Sequence, residues 1–244
     1  MRVLLLSALM AIAAQPAFAQ GPWLGRARLG LSAGLQPEAK GFSQVSTLVE
    51  YVEPAPLTIS RDEGGAPFFD IGVAFPLAGR LGGSVALSAL STDGAATLQA
   101  GIPHPFFFDA LRPISGNVNI QRNELAVHAG VGVLVGGGPL DLIVSGGPSF
   151  FRVRQDVVTA VDYEEAYPYD SASFVSATLS EASASKVGYH AALDLTWRFS
   201  RVWGLGALVR YARAEVPLVA GDIEAEPMKV GGLQAAAGLR LIFP

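Results

Sequence analysis

The sequence contains no cysteine, so neither a disulfide framework nor a lipid anchor on an N-terminal cysteine is available to it. Charge is scarce as well: Asp, Glu, Lys and Arg make up 16% of the chain while half of it is hydrophobic, an apolar balance for an exported protein. Bases neither dominate nor cluster, and the formal net charge is −4, so no nucleic-acid partner is expected. After Ala19 no run of eighteen apolar residues occurs. The best stretch, Ala129 to Val144, is interrupted by Gly136-Gly137-Gly138-Pro139 and by Asp141. Transmembrane helices are thereby excluded. Only helices and closed barrels satisfy their backbone in lipid, so an apolar chain without such helices points to a β-barrel.

The first residues carry an export signature. Met1-Arg2 precedes an apolar run from Val3 to Ala14 and then Ala17-Phe18-Ala19, which predicts a signal peptide over 1–19 cleaved after Ala19. The domain expected to remain spans 20–244, with sixteen basic residues against twenty-one acidic and a net charge of −5.

Alternation with a period of two recurs eight times. The predicted strands are Trp23–Leu35, Pro67–Leu77, Leu81–Ser91, Gln121–Val135, Leu140–Arg154, Ser185–Phe199, Val202–Glu215 and Lys229–Pro244. In the last of these Leu233, Ala235, Ala237, Leu239, Leu241 and Phe243 share one parity, and Gln234 and Arg240 the other. The fifth is irregular: Leu140, Leu142 and Val144 give way to Phe151 and Val153 after Gly146-Gly147-Pro148, which predicts a bulge. Tight connections are expected at Ala78-Gly79-Arg80, Gly136–Pro139 and Ser200-Arg201. Between them lie long segments, 36–66, 92–120 and 155–184, and a shorter polar one, 216–228, all expected to be loops. Long and short connections in strict alternation are the layout of an up-and-down outer-membrane barrel.

A soluble barrel would share the period but turn Leu and Val inward. Two features favour lipid outside. The polar face is built from Gly, Ala and Ser with occasional Arg, which suits a narrow lumen filled by a few long side chains. The aromatics collect at strand ends: Trp23, Trp197, Phe199, Trp203 and Phe243 at the periplasmic rim, Phe69, Tyr189 and Tyr211 toward the other. The fold class is therefore all-β, an eight-stranded antiparallel transmembrane barrel.

From Trp23 to Phe243 the chain resembles the eight-stranded outer-membrane barrels of the OmpA and OmpX type in single-domain form. Its terminal Gly238-Leu239-Arg240-Leu241-Ile242-Phe243 is similar to the C-terminal signal read by the barrel-assembly machinery, although Pro244 follows the usual final aromatic. The resemblance implies the outer membrane of a diderm bacterium, contact with its lipids, and passage through periplasmic chaperones and the assembly machinery.

Inward parity assigns Arg26, Arg28, Asp70, Glu124, His128, Asp141, Lys186, His190, Asp194, Arg198, Arg210 and Arg240 to the lumen. Buried charges must pair, so an ion-pair network plugging the barrel is expected. No cofactor or metal is expected, since His128 and His190 lie on non-neighbouring strands without metal-ligand spacing. Their inward parity also disfavours the enzymatic rival, a lipid A-modifying barrel, which needs a Ser–His pair facing lipid. Phe106-Phe107-Phe108 is expected to pack over the barrel mouth, and the acidic stretch 156–181 to be a solvated loop. Two functions stay open: a structural or surface-interaction barrel, and a small pore.

Overall fold

The computed structural model describes residues 26–37, 42–61, 64–136, 139–217, 219–220, 223–224 and 228–243. The predicted signal peptide, Trp23 and Pro244 lie outside them. Among the described residues twelve strands follow in order: β1 (Arg28–Gln36), β2 (Phe42–Glu50), β3 (Glu53–Arg61), β4 (Ala66–Ala78), β5 (Leu81–Pro103), β6 (Leu111–Gly136), β7 (Leu140–Glu165), β8 (Ala172–Arg198), β9 (Trp203–Val216), β10 (Val219–Ala220), β11 (Ile223–Glu224) and β12 (Met228–Ile242). Eight of them pair antiparallel in a closed ring, β1-β4-β5-β6-β7-β8-β9-β12 and back to β1. These are the eight predicted strands. Closure runs from Arg28↔Ile242 through Leu35↔Ala235, and the Phe243 N–H donates to the Ala27 carbonyl at 2.9 Å. A ring without an edge is what a sheet in lipid requires.

Four strands far exceed a membrane crossing. β5 to β8 run 23, 26, 26 and 27 residues, against the ~9–11 that a tilted strand needs to cross the hydrocarbon. The segments 92–120 and 155–184, expected as loops, are mostly continuations of these strands. The sequence pattern hid this because the chemistry of the two faces exchanges partway up. In the lower half of β6, His128 is buried while Leu125, Val127, Val131 and Val133 are exposed. In its upper half the buried parity holds Ile114, Val118 and Ile120, and the exposed parity holds Asn117, Asn119 and Gln121. Side-chain direction never changes; only the medium outside does, from lipid to water.

The same exchange accounts for the irregular fifth strand. Phe151 and Val153 are fully buried on the parity of Asp141, and β7 pairs β8 in one register from Leu140↔Trp197 through Val158↔Leu179. There is no bulge at Gly146-Gly147-Pro148. The shifts fall higher, between Val158 and Ala160 and between Asp162 and Tyr163.

The segment 36–66 also differs from the expected loop. It holds the β2–β3 hairpin, which joins β5 at Leu57↔Ala100 through Ser60↔Thr97. Above Arg122↔Gln155, β6 and β7 have no further register pairs. There the sheet β2-β3-β5-β6 faces the β7–β8 ribbon across an apolar core of Leu57, Ile59, Leu98, Ile102, Ile120 and Val158. Gln44 ties the layers: its side-chain amide donates to the Val158 carbonyl (2.9 Å) and accepts from the Val158 N–H (3.1 Å), beside the bulge. The barrel thus carries an extracellular β-sandwich made largely of its own strands.

Of the three predicted tight turns, the one at Gly136–Pro139 includes Gly137 and Gly138, which lie outside the described residues; the other two depart little from expectation. β4 and β5 are joined by Gly79 and Arg80, with Gly79 at φ +56°. The β8–β9 connection is four residues rather than two, Phe199 to Val202, with the Ser200 hydroxyl accepting from the Trp203 N–H at 2.8 Å. The 216–228 segment contains the small β10–β11 pairing.

Because the sandwich core is separate from the lumen, damage to it should be local. Ile59→Ala with Leu98→Ala removes two fully buried side chains, at about 2–5 kcal/mol each. The expected outcome is trypsin cleavage within the extracellular part of β5–β8 while heat-modifiable gel mobility of the barrel persists. Loss of both together would mean that the two cores fold as one unit.

Candidate functional site

Inward residues of the membrane-spanning half meet in a wall only eight strands around, whose interior side chains can fill. Near the periplasmic end Asp141 on β7 accepts from Arg28 Nη2 on β1 at 3.0 Å, and Arg198 Nε on β8 lies 3.0 Å from the same Oδ2. One turn of the wall higher, Arg240 on β12 donates through Nε to Asp194 on β8 (3.2 Å to either oxygen) and through Nη1 to Ser32 Oγ (2.8 Å). The Arg240 guanidinium lies against Gly206 and Gly30, where a Cβ would collide with it at Gly206 and crowd it at Gly30. Glycine on the polar face is there to admit a long cation.

Next come Arg210 and Asp70, 2.7 Å apart, with Gln234 and Gln36 continuing the chain of amides to the Gly231 carbonyl. Beside them a hydroxyl–imidazole relay crosses the lumen. Ser88 Oγ lies 3.0 Å from His128 Nε2; His128 Nδ1 is 2.8 Å from Ser149 Oγ, which is 2.9 Å from His190 Nδ1. Arg122 and Glu124 form the top layer at 2.9 Å, and the other Glu124 oxygen accepts from the Gly231 N–H. The space left among these layers is about 70 Å³, room for a handful of waters. Apolar plugs close both ends: Leu134 and Ile143 with Ala74 below, and Phe151, Val153, Val216 and Val230 above.

Ten of the twelve predicted lumen residues take part in these contacts. Arg26 is half-buried just before β1, at the periplasmic edge. Lys186 is a correction: it shares the parity of Phe151 but is exposed, because β8 and β9 pair no higher than Tyr189↔Arg213 and the wall has no β9 partner at its level. Gln234, which shares the inward parity of Arg240, belongs to the network as expected; Ser32, Gln36, Ser88, Arg122 and Ser149 belong to it too and were not singled out by sequence. Parity alone would have placed Ser32, Ser88 and Arg122, whereas Ser149 was lost to the apparent bulge. Among the described residues no group of three or more His, Asp or Glu is placed to hold a metal ion.

The predicted interface aromatics Phe69, Tyr189, Trp197, Phe199, Trp203, Tyr211 and Phe243 are all exposed on the outer face of the wall. Leu31, Ile71, Val85, Leu87, Val131 and Leu193 form the exposed apolar band between the two rims. A closed barrel with this exterior and a polar interior is a transmembrane barrel of the outer-membrane kind.

The second cluster is the extracellular tip. Phe106, Phe107 and Phe108 do not pack over the barrel mouth; they are 69%, 63% and 83% exposed on the β5–β6 connection, because the sandwich core already closes the mouth. Phe106 meets Tyr169 edge-on at 5.5 Å, and Phe107 lies 4.7 Å from the buried His104 ring. Behind them Glu165 accepts from Tyr51 Oη and from Arg112 Nη1, each at 2.6 Å, while Arg112 Nη2 donates to the Pro103 carbonyl. Among the described residues four non-glycine ones have positive φ: Tyr51 (49°), Val52 (70°), Asp109 (59°) and Tyr169 (73°). All four lie in the β2–β3, β5–β6 and β7–β8 connections that this clamp draws together, and such backbone persists only where its surroundings enforce it.

No protein-family model matches the chain, and no curated protein matches its sequence. Among solved structures it is similar to the outer membrane protein OprG from Pseudomonas aeruginosa, at TM-score 0.49 and 10% identity over 90% of this chain and 96% of that one. It is similar too to Neisserial surface protein A (TM-score 0.45, 10% identity, 90% and 97% covered) and to the outer membrane protease OmpT from Escherichia coli (0.48, 10%, 94% and 100%). At these identities no site residue is carried over from any of them.

Two outcomes are expected. Asp141→Ala leaves Arg28 and Arg198 without their shared carboxylate, and should lower barrel stability by about 3–5 kcal/mol in urea unfolding from lipid vesicles. An unchanged midpoint would mean that water, not Asp141, compensates those cations. At the tip, burial alone would raise the Glu165 pKa, but hydrogen bonds from Tyr51 and Arg112 overcome this and hold it below the usual 4.5. A depressed carboxylate contributes stability above its unfolded pKa and loses it as pH falls through the folded value. Carbon-13 titration of the Glu165 carboxyl should therefore give a midpoint below 4.5 that returns toward it in Tyr51→Phe; a midpoint above 4.5 in the native protein would break the clamp assignment.

Proposed function

We propose that this protein is a non-conducting, non-enzymatic barrel that anchors a rigid extracellular sandwich in the outer membrane, with a structural or surface-interaction role. The observation that supports a closed lumen best is the set of cross-lumen ion pairs, Arg28–Asp141–Arg198, Arg240–Asp194 and Arg210–Asp70, which spans the interior between apolar plugs. A permeant solute would have to separate these pairs, and each costs several kcal/mol to break where both partners are largely out of bulk water. The tip supports the interaction role. Contiguous exposed aromatics on a soluble surface mark contact sites. Phe106 to Phe108, Tyr167 (86% exposed) and Val52 (94%) stand in the β5–β6, β7–β8 and β2–β3 connections that form this tip.

An enzymatic reading would need an accessible nucleophile. Ser149 sits between two imidazoles, but it is 1% exposed inside the lumen, where neither lipid nor peptide reaches it. Purified protein in planar bilayers should give no stable channels, and liposomes containing it should not swell in small sugars. A large, stable, ion-selective conductance would overturn the closed-lumen reading and favour the pore.

A further inference from the structure

The outer face of the wall carries a second feature, unrelated to the lumen. Four strands bring Phe69 (β4), Ala89 (β5), Leu125 (β6) and Arg152 (β7) into one row, through the register pairs Phe69↔Ala89, Ala89↔Leu125 and Leu125↔Arg152. The row above it on the same face includes Asn123 and Arg154, paired in register. All six are exposed or half-buried, and a groove of about 450 Å³ lies over them. It is a groove because Ala89 is small where its neighbours in the row, Phe69 and Leu125, are large.

Its height on the wall is fixed by what flanks it. Directly below, Val127↔Phe150 and Ile71↔Leu87 continue the exposed apolar band that faces acyl chains. Directly above, the same face turns to Gln121, Asp93 and Asp156. The groove therefore straddles the boundary between hydrocarbon and headgroups on the extracellular side. Two guanidiniums lie along one wall of it. Arg152 makes no ion pair among the described residues, and Arg154 has only a 3.8 Å contact to Glu181, with both side chains about half exposed. Of the other carboxylates around it, Glu124 turns inward to Arg122 and Gly231, and Asp156 accepts from the Gln121 N–H.

We propose that this groove binds one phosphorylated lipid of the outer leaflet, an acyl chain lying over Ala89 between Phe69 and Leu125 and a phosphate between Arg152 and Arg154. Apolar floor, position at the headgroup level and a pair of adjacent arginines match the two halves of such a lipid, whereas a soluble anion would use the arginines and leave the floor uncovered. Arginine supplies the planar, multidentate donors that phosphate takes best. The site is on the outside of the wall, so it holds whether or not the lumen conducts.

The test is native mass spectrometry of the full barrel in mild detergent. The protein is titrated with a diphosphorylated, multiply acylated glucosamine disaccharide, with the same lipid after dephosphorylation, and with phosphatidylcholine. The expected result is one retained phosphorylated lipid per barrel, bound at least about tenfold tighter than the dephosphorylated form, the scale of one charge-assisted contact. Arg152→Gln with Arg154→Gln should remove that difference, while Ala89→Trp, which keeps both arginines but fills the floor, should weaken both forms. Arg213→Gln, an exterior arginine on β9 away from the groove, should change nothing. Heat-modifiable mobility verifies that each variant is folded, and all four positions are at the exposed face, so the barrel survives the changes. Equal binding of phosphorylated and dephosphorylated lipid by the native protein would overturn the proposal, as would full discrimination by the double glutamine variant.

Discussion

A ladder of backbone hydrogen bonds that must close on itself governs everything else in this protein. In hydrocarbon an unpaired N–H or C=O costs several kcal/mol, so the eight strands cannot break register or open an edge while they are in the membrane. Once register is fixed, each side chain faces inward or outward by parity alone. β7 keeps one register with β8 from Leu140↔Trp197 through Val158↔Leu179 and departs from it only above the membrane, where Thr159 makes a bulge that water and Gln44 can satisfy. The freedom to bulge returns where the penalty for an unpaired group falls.

Parity that cannot change then forces composition to change. Outside the wall the surroundings pass from acyl chains to water, and the residues on that face pass from Val127 and Leu125 to Asn123 and Gln121. Inside, the lower half encloses a tube too narrow for bulk water, so its charges must satisfy one another. Arg240 reaches across because Gly30 and Gly206 leave it room, and Asp141 serves two arginines because it is placed between β1 and β8. Above, strands no longer bound to a ring can separate into two layers, and an apolar core becomes the cheaper filling. Polar inside and apolar below, apolar inside and polar above, are one solution applied in two media.

This is also why part of the architecture was legible in the sequence and part was not. Period two survives wherever the two faces differ in polarity, so the eight strands, the β4–β5 turn and ten of twelve lumen residues could be read directly. Near the lipid–water boundary the two faces exchange chemistry, and over those few residues alternation vanishes or inverts. Phe151 and Val153 then imitate a bulge, and 92–120 and 155–184 imitate loops. The β2–β3 hairpin was missed for a related reason. Val45, Val49 and Val52 are exposed while Gln44 is buried, so its faces do not sort by polarity. Lys186 had the right parity, but its exposure depends on where β9 stops pairing with β8, a tertiary fact with no local signal.

The continuity of the strands has a mechanical consequence for the tip. β5 to β8 pass from lipid to the extracellular end without a linker, so the aromatic cluster is carried by the same hydrogen-bonded ladder that crosses the membrane. Motion of the tip relative to the bilayer must bend paired strands and shear the Leu57–Val158 core, rather than rotate a few loop torsions. The Glu165 clamp adds to this by joining three connections through Tyr51 and Arg112, and the positive φ values of Tyr51, Val52, Asp109 and Tyr169 are held against their intrinsic cost by that closure. A contact surface held this stiffly gives up little conformational entropy when it binds. Stiffness at the tip is therefore the extracellular counterpart of the closed lumen: both follow from strands that are committed to their register from one side of the membrane to the other.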